Sequence, residues 1–134
     1  MTERLVIDAS AGVEILSRSL AGRRLAKTVE RPEAEVWTVE HFHLEVAKVL
    51  RRDVLAGDIG DDEATRRIHV LADWELNVAR VAPLLSAAWD RRHNITIHDA
   101  LYVALAEKLD ATLITADERL AKTPNLKART RTIT

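Results

Sequence analysis

The 134-residue sequence has no cysteine, four glycines, three prolines and five aromatic residues. Without cysteine it can form no disulfide, thiolate zinc site, iron–sulfur cluster or cysteine nucleophile. So little glycine and proline leaves no linker or low-complexity tail, and nothing repeats at a fixed period. The five aromatics, Trp37, Phe42, Trp74, Trp89 and Tyr102, argue against a sheet that stacks bases on rings. No apolar run reaches the ~18 residues of a membrane span. The opening MTERLVIDAS lacks the basic region and long apolar stretch of a signal peptide. The expectation is one domain over residues 1–134, cytoplasmic and away from membranes. Nor is one sign of charge in excess: 20 Lys and Arg face 21 Asp and Glu, for a net −1. Taken alone, that balance argues against a nucleic-acid partner, because such domains are usually basic.

The apolar residues fall into short runs. Leu5, Val6 and Ile7, closed by Asp8, read as a buried strand. Ser10 is placed to cap a helix through Ala11, Val13, Ile15 and Leu16. A second helix runs from Leu20 to about Val29, before Pro32, and Val36–Val39 reads as a strand. From Phe42 to Ala56 apolar residues recur at helical spacing, and Gly57 is a suitable stop. Asp61 or Asp62 can cap a helix reaching Trp74. Leu76, Val78 and Val81 alternate as in a strand, and Pro83 suits the start of the next helix. Thr96 and Asp99 resemble a capping box opening a helix to Leu109. A strand at Thr112–Thr115, a short helix from about Asp117 and a strand near Arg129–Ile133 complete the order. Strands alternating with helices predict a mainly parallel sheet covered on both faces, an α/β/α sandwich. LVID and TLIT are apolar without alternation, as strands buried on both sides are. ITIHDALYVALAEKL is apolar nearly all round and belongs deep in the packing.

In open α/β sheets ligands bind beyond the carboxyl ends of the strands. Asp8 closes LVID there, and Asp117 follows TLITA. Asp99 lies in the first turn of the most apolar helix. Glu45 falls about 60° from Phe42 around its helix, at ~100° per residue, on the margin of the apolar stripe. Each acid has an ordinary explanation: a helix cap for Asp8, a dipole partner for Asp99, and the start of a short helix for Asp117, with Thr115 and Glu118 as a capping box. Glu45 alone is an interface-edge residue. Together the four acids would repel unless a cation joined them. Carboxylates of this kind suit Mg²⁺ or Mn²⁺, hard ions that prefer oxygen.

Other chemistries lack their residues. His41, His43 and Glu45 alternate, which on a helix spreads them over different faces, so a histidine-held zinc site is disfavoured. His93 and His98 flank a helix junction as polar surface or capping residues. There is no glycine-rich phosphate loop and no GxSxG elbow. A receiver-type signalling domain also gathers acids at strand ends. It needs a phospho-accepting Asp after a central strand and a Lys after a late one, whereas here TVEH offers Glu40 and no Lys closes TLIT.

VIDAS at Val6–Ser10, EVAKVLRR from Glu45, HDALYVALAEKL from His98 and LITADERL from Leu113 resemble PIN-domain ribonucleases, most closely the toxin subunits of VapBC-type toxin–antitoxin systems. The likeness covers nearly the whole chain in order, with DALYVALAE followed by TADERL the most specific part. It departs around Thr28–Val39, and His98 stands where relatives often have an aromatic. The resemblance implies that Asp8, Glu45, Asp99 and Asp117 are an acidic quartet binding Mg²⁺ or Mn²⁺. Asp8 and Asp99 would hold one ion, while Asp117 and Glu45 would hold a second or orient the attacking water. Ser10 and Thr115 match hydroxyl positions that order the carboxylates and the substrate phosphate. The resemblance further implies hydrolysis of single-stranded or looped RNA, an antitoxin partner that blocks the acidic pocket, and a homodimer. Exposed apolar residues around Val46–Leu55 and Asp62–Trp74 are candidate interfaces. A catalytically silent PIN-like binding module is the alternative, which the presence of all four acids disfavours.

The near-zero net charge is an average. Residues 119–134 hold Arg119, Lys122, Lys127, Arg129 and Arg131 and no acid, or +5, which leaves −6 for residues 1–118. Fifteen of the 20 basic residues are Arg, the side chain suited to bidentate phosphate contact. Arg119 and Lys122, next to Asp117, are candidate RNA contacts.

Overall fold

Residues 2–132 are described in the computed structural model of the chain. Strands β1 (Glu3–Ile7), β2 (Ala34–Val39), β3 (Asn77–Ala79), β4 (Thr112–Thr115) and β5 (Arg129–Thr132) form one sheet in the order β3-β2-β1-β4-β5. All four pairings are parallel. Helices α1 (Ala9–Ser17), α2 (Leu20–Val29), α3 (Phe42–Leu55), α4 (Asp61–Asp73), α5 (Leu85–Trp89), α6 (Ile97–Leu109) and α7 (Glu118–Ala121) fill the connections. The expected α/β/α sandwich is what the chain forms.

The topology locates the site. From β1 the chain steps outward to β2 and β3, then returns to place β4 and β5 on the other side of β1. Right-handed crossovers put the helices of the two half-circuits on opposite faces. They also leave a crevice where the direction reverses, between the carboxyl ends of β1 and β4. Register confirms the adjacency, since Leu5 pairs with Thr112 and Ile7 with Ile114.

The core explains why those strands carry no alternation. Leu5, Val6, Ile7, Leu113 and Ile114 are all fully buried, and every residue of α6 from Ala100 to Ala106 is buried beside them. Two glycines let helices approach closely. A Cβ on Gly22 would stand 1.9 Å from the backbone oxygen of Glu14, and one on Gly12 would stand 2.6 Å from the Phe42 ring.

Several local expectations need correction. The cap of α1 is Asp8, not Ser10: its Oδ1 accepts from the Ala11 amide at 2.9 Å, while Ser10 lies inside the first turn. Gly60 occupies the cap position of α4, and Asp61 and Asp62 follow within the first turn, where acids complement the helix dipole. Pro83 sits in a 3₁₀ turn, Ala82–Leu84, that leads into α5. β2 starts at Ala34 because its parallel register with β1 begins there, opposite Glu3. Ile133, expected in the last strand, lies outside the described residues.

Candidate active site

The four acids come from four elements and line one cavity of about 500 Å³ at the β1/β4 crevice. Asp8 follows β1 and is 3 % exposed. Its Oδ1 accepts from the Ser10 hydroxyl at 2.7 Å and the Ala11 amide, and Thr115 donates its hydroxyl to Oδ2. Ser10 and Thr115 are also within 3.1 Å of each other, and Ser10 Oγ accepts from the Ala116 amide at 2.9 Å. Burial raises the Asp8 carboxyl to about 6 despite these donors, and the charge of Asp99 adds to the rise. Both hydroxyls thus hydrogen-bond the Asp8 carboxylate. Thr115 does so from β4, and not as part of a capping box for α7.

Asp99 enters from the first turn of α6, whose cap Thr96 accepts from the Asp99 amide at 3.2 Å. Burial raises its pKa, and the charges of Asp117 and Glu45 raise it further. Asp117 caps α7, accepting from the Arg119 amide at 2.9 Å. Its other oxygen lies 3.5 Å from the Arg119 guanidinium.

Glu45 is held by His41 and Tyr102. Tyr102 donates to its Oε1 at 2.8 Å, and His41 Nε2 lies 3.0 Å from the same oxygen. Burial pushes Glu45 up, but the contacts with His41 and Tyr102 outweigh it and its pKa falls. Tyr102 is held far above its ordinary value by burial and by the Glu45 charge. Among the described residues Glu45 Oε2 has no hydrogen bond, so one oxygen is anchored and the other is left without a partner, on a residue that lines the cavity. The relevant spacing was His41 to Glu45, four apart on one helical face, not the alternation of His41, His43 and Glu45. His98 stacks near His41, with ring centroids 5.6 Å apart, and lines the cavity rather than serving only as surface. Lys48 and Arg52, on α3 after Glu45, line it as well.

The donor set fits a hard divalent cation. All four candidate ligands are carboxylates, and burial pushes Asp8 and Asp99 toward protonation, helped at Asp8 by the charge of Asp99 and at Asp99 by those of Asp117 and Glu45. Among the described residues no three His, Asp or Glu side chains stand close enough together to hold a metal ion as they are placed, so the fit rests on the oxygen chemistry of the four acids and on the cavity they share.

The PIN-domain family model matches residues 5–126. The chain belongs to the PIN-domain family. This PIN domain is 38% identical over 128 residues to ribonuclease VapC1 of Mycobacterium tuberculosis, covering 92% of this chain and 93% of the relative. Its fold is similar to that of VapBC2 from Rickettsia felis, solved with a promoter DNA fragment (TM-score 0.67, 12% identity, 95% and 98% coverage). It is also similar to that of Mycobacterium tuberculosis VapC20, described as a Sarcin-Ricin loop cleaving toxin (TM-score 0.64, 17% identity, 87% and 92% coverage). The VapC1 likeness, over nearly the full length of both chains, places this PIN domain among the VapC ribonucleases. A receiver-type domain is thereby set aside.

Proposed function

We propose that the chain is a Mg²⁺- or Mn²⁺-dependent endoribonuclease, the toxin of a toxin–antitoxin pair, that hydrolyses phosphodiesters in single-stranded or looped RNA. The observation that carries this reading is the convergence of Asp8, Glu45, Asp99 and Asp117, far apart in sequence, on one cavity at the β1/β4 crevice. VapC1, 38% identical over nearly the whole chain, is named a ribonuclease, which supports the substrate class.

Asp8 and Asp99 would hold one divalent ion, with Glu45 and Asp117 completing the set or orienting the attacking water. Their oxygen-only chemistry favours Mg²⁺ or Mn²⁺ over softer metals. When bound, the ion supplies Lewis-acid polarisation of the scissile phosphate and acidification of water. The remaining work falls to the protein. The Ser10 and Thr115 hydroxyls and the Ala11 amide fix the direction of Asp8, and Ser10 and Thr115 stand beside the place where the phosphate would lie. His41 and Tyr102 fix one oxygen of Glu45 and leave the other to the site. Lys48 and Arg52 on the cavity wall supply positive charge for the polyanion.

The VapBC2 likeness supports an antitoxin partner for this chain. A second copy of the chain is supported by Leu55 and Ile68, exposed on either side of a shallow groove between α3 and α4. Co-expression with the product of the neighbouring small gene should give a stoichiometric complex.

Incubation of the purified chain with oligoribonucleotides tests the activity. Cleavage should require Mg²⁺ or Mn²⁺, stop in excess EDTA and be absent from Asp99→Asn. Cleavage that persists in EDTA would overturn the metal-dependent mechanism.

A further inference from the structure

The acidic cavity does not end at its carboxylates. Asp99 and Asp117 also line a second cavity of about 540 Å³, and the same lining includes the basic residues Arg92, Arg119 and Lys122. Arg92 is held in place. It donates to the Trp89 carbonyl at 3.0 Å, and its guanidinium carbon lies 5.0 Å from the centroid of the Trp89 ring, a cation–π arrangement. The two segments that build the cavity are clamped to a single residue of α6. Arg91, next to Arg92, reaches Glu107 at 2.9 Å and the Asn125 carbonyl at 3.1 Å, while Glu107 accepts from the Lys127 amide at 2.8 Å. Arg119 and Lys122 meet acids only at 3.5 and 3.9 Å, with side chains 90 % and 79 % exposed. Their charge is open to a ligand.

We infer that this second cavity is a subsite for the sugar–phosphate backbone of single-stranded RNA, beyond the nucleotide whose phosphodiester meets the acids. The inference rests on the ribonuclease reading above. Asp99 and Asp117 line both cavities, so a strand with one phosphate at the acids can continue past them into a lining that adds guanidinium and ammonium groups. Asn94 and Thr96, also in the lining, offer the donors and acceptors that a ribose 2′-hydroxyl uses. Trp89 acts as the prop that aims Arg92.

The test is binding of a fluorescent single-stranded 12-mer oligoribonucleotide across a salt series in Mg²⁺. It uses Glu45→Gln as a cleavage-silent background, because Glu45 lies outside the second cavity. Adding Arg92→Ala and Lys122→Ala should weaken binding about tenfold near 0.1 M salt and flatten the log–log salt slope by about 1.4, two phosphates at ~0.7 each. In the cleaving chain the same pair should raise KM for the 12-mer with kcat within about twofold, at unchanged melting temperature. Trp89→Leu should reproduce part of the Arg92→Ala effect, and Trp89→Tyr should restore it. If affinity, slope and KM are all unchanged while the parent chain cleaves RNA, the subsite is wrong and the ribonuclease reading stands. If the parent neither binds nor cleaves, that reading fails first. Unchanged RNA binding with weakened capture of the cognate antitoxin would assign the cavity to a protein and overturn the inference.

Discussion

Thr115 donates its hydroxyl to the carboxylate of Asp8 across 107 positions of sequence, joining the ends of the two central strands. This bond, with those from Ser10 and Ala11, orients a carboxyl that burial holds near 6. The site thus keeps an acid in a place that, without a cation, opposes its charge.

Stability should register that conflict. The folded pKa of Asp8 lies above the unfolded value, so the folded state keeps the proton longer. Stability is then full below about pH 4 and is lost as the pH rises toward 6, by about 3 kcal/mol in all for a shift of this size. In EDTA, Asp8→Asn should be more stable than the parent at pH 8, and the difference should shrink toward zero near pH 4. Urea unfolding at the two pH values measures it. Equal midpoints for parent and variant at pH 8 would refute the prediction.

Tyr102→Phe removes one donor to Glu45 and leaves the ring in the core. Loss of such a support for a ligating carboxylate typically weakens metal binding by about 10–100-fold. Half-maximal cleavage should therefore need correspondingly more Mg²⁺, with most of the rate recovered at saturation. His41→Gln should shift the metal titration in the same direction. A lower rate at every Mg²⁺ concentration, with no shift of the midpoint, would point to a role other than aiming Glu45.

Gly22 allows α2 to cross over the end of α1. Its Cβ would meet the Glu14 backbone oxygen at 1.9 Å, a contact no rotamer can relieve, so Gly22→Ala should cost about 2–3 kcal/mol, within the overpacking range. Gly60→Ala serves as the control, because nothing lies within 4 Å of its Cβ. Thermal melts of the two variants should differ clearly.

The Arg91–Glu107 pair is mostly buried, with side chains 16 % and 19 % exposed. Arg91→Ala would leave Glu107 without its cation and should destabilise the chain by about 3 kcal/mol. Hydrogen exchange should quicken most around residues 123–129, which Glu107 and Arg91 hold through Lys127 and Asn125. Arg91→Ala with Glu107→Gln should recover part of the loss.

The strand–helix order and the four acids were legible because their signals are local. Apolar runs end in an acid at β1 and β4, and Asp99 sits in the first turn of a helix with no polar face. What could not be read comes from chain segments that meet only in the fold. The support of Glu45 by Tyr102 spans 57 positions and needs α3 to cross α6. Asp8 displaced Ser10 as the α1 cap because the Ser10 hydroxyl is committed to Asp8, Thr115 and the Ala116 amide. The basic C-terminal stretch looks uniform in sequence but divides in space. Arg119 and Lys122 face the second cavity, Arg131 pairs with Glu3 at 3.8 Å, and Arg129 reaches Thr112. Two of those five charges are therefore tied to the sheet.

The strand order also governs when the site comes into being. β4 inserts next to β1, yet it is made more than 100 residues later, and Asp117 follows it. During synthesis, which proceeds at about 5–20 residues per second, a growing chain carries Asp8 without the hydroxyl of Thr115 or the last acid. A product terminated before β4 has no crevice to hold a cation. The acidic pocket therefore cannot assemble before β4 and Asp117 have been translated.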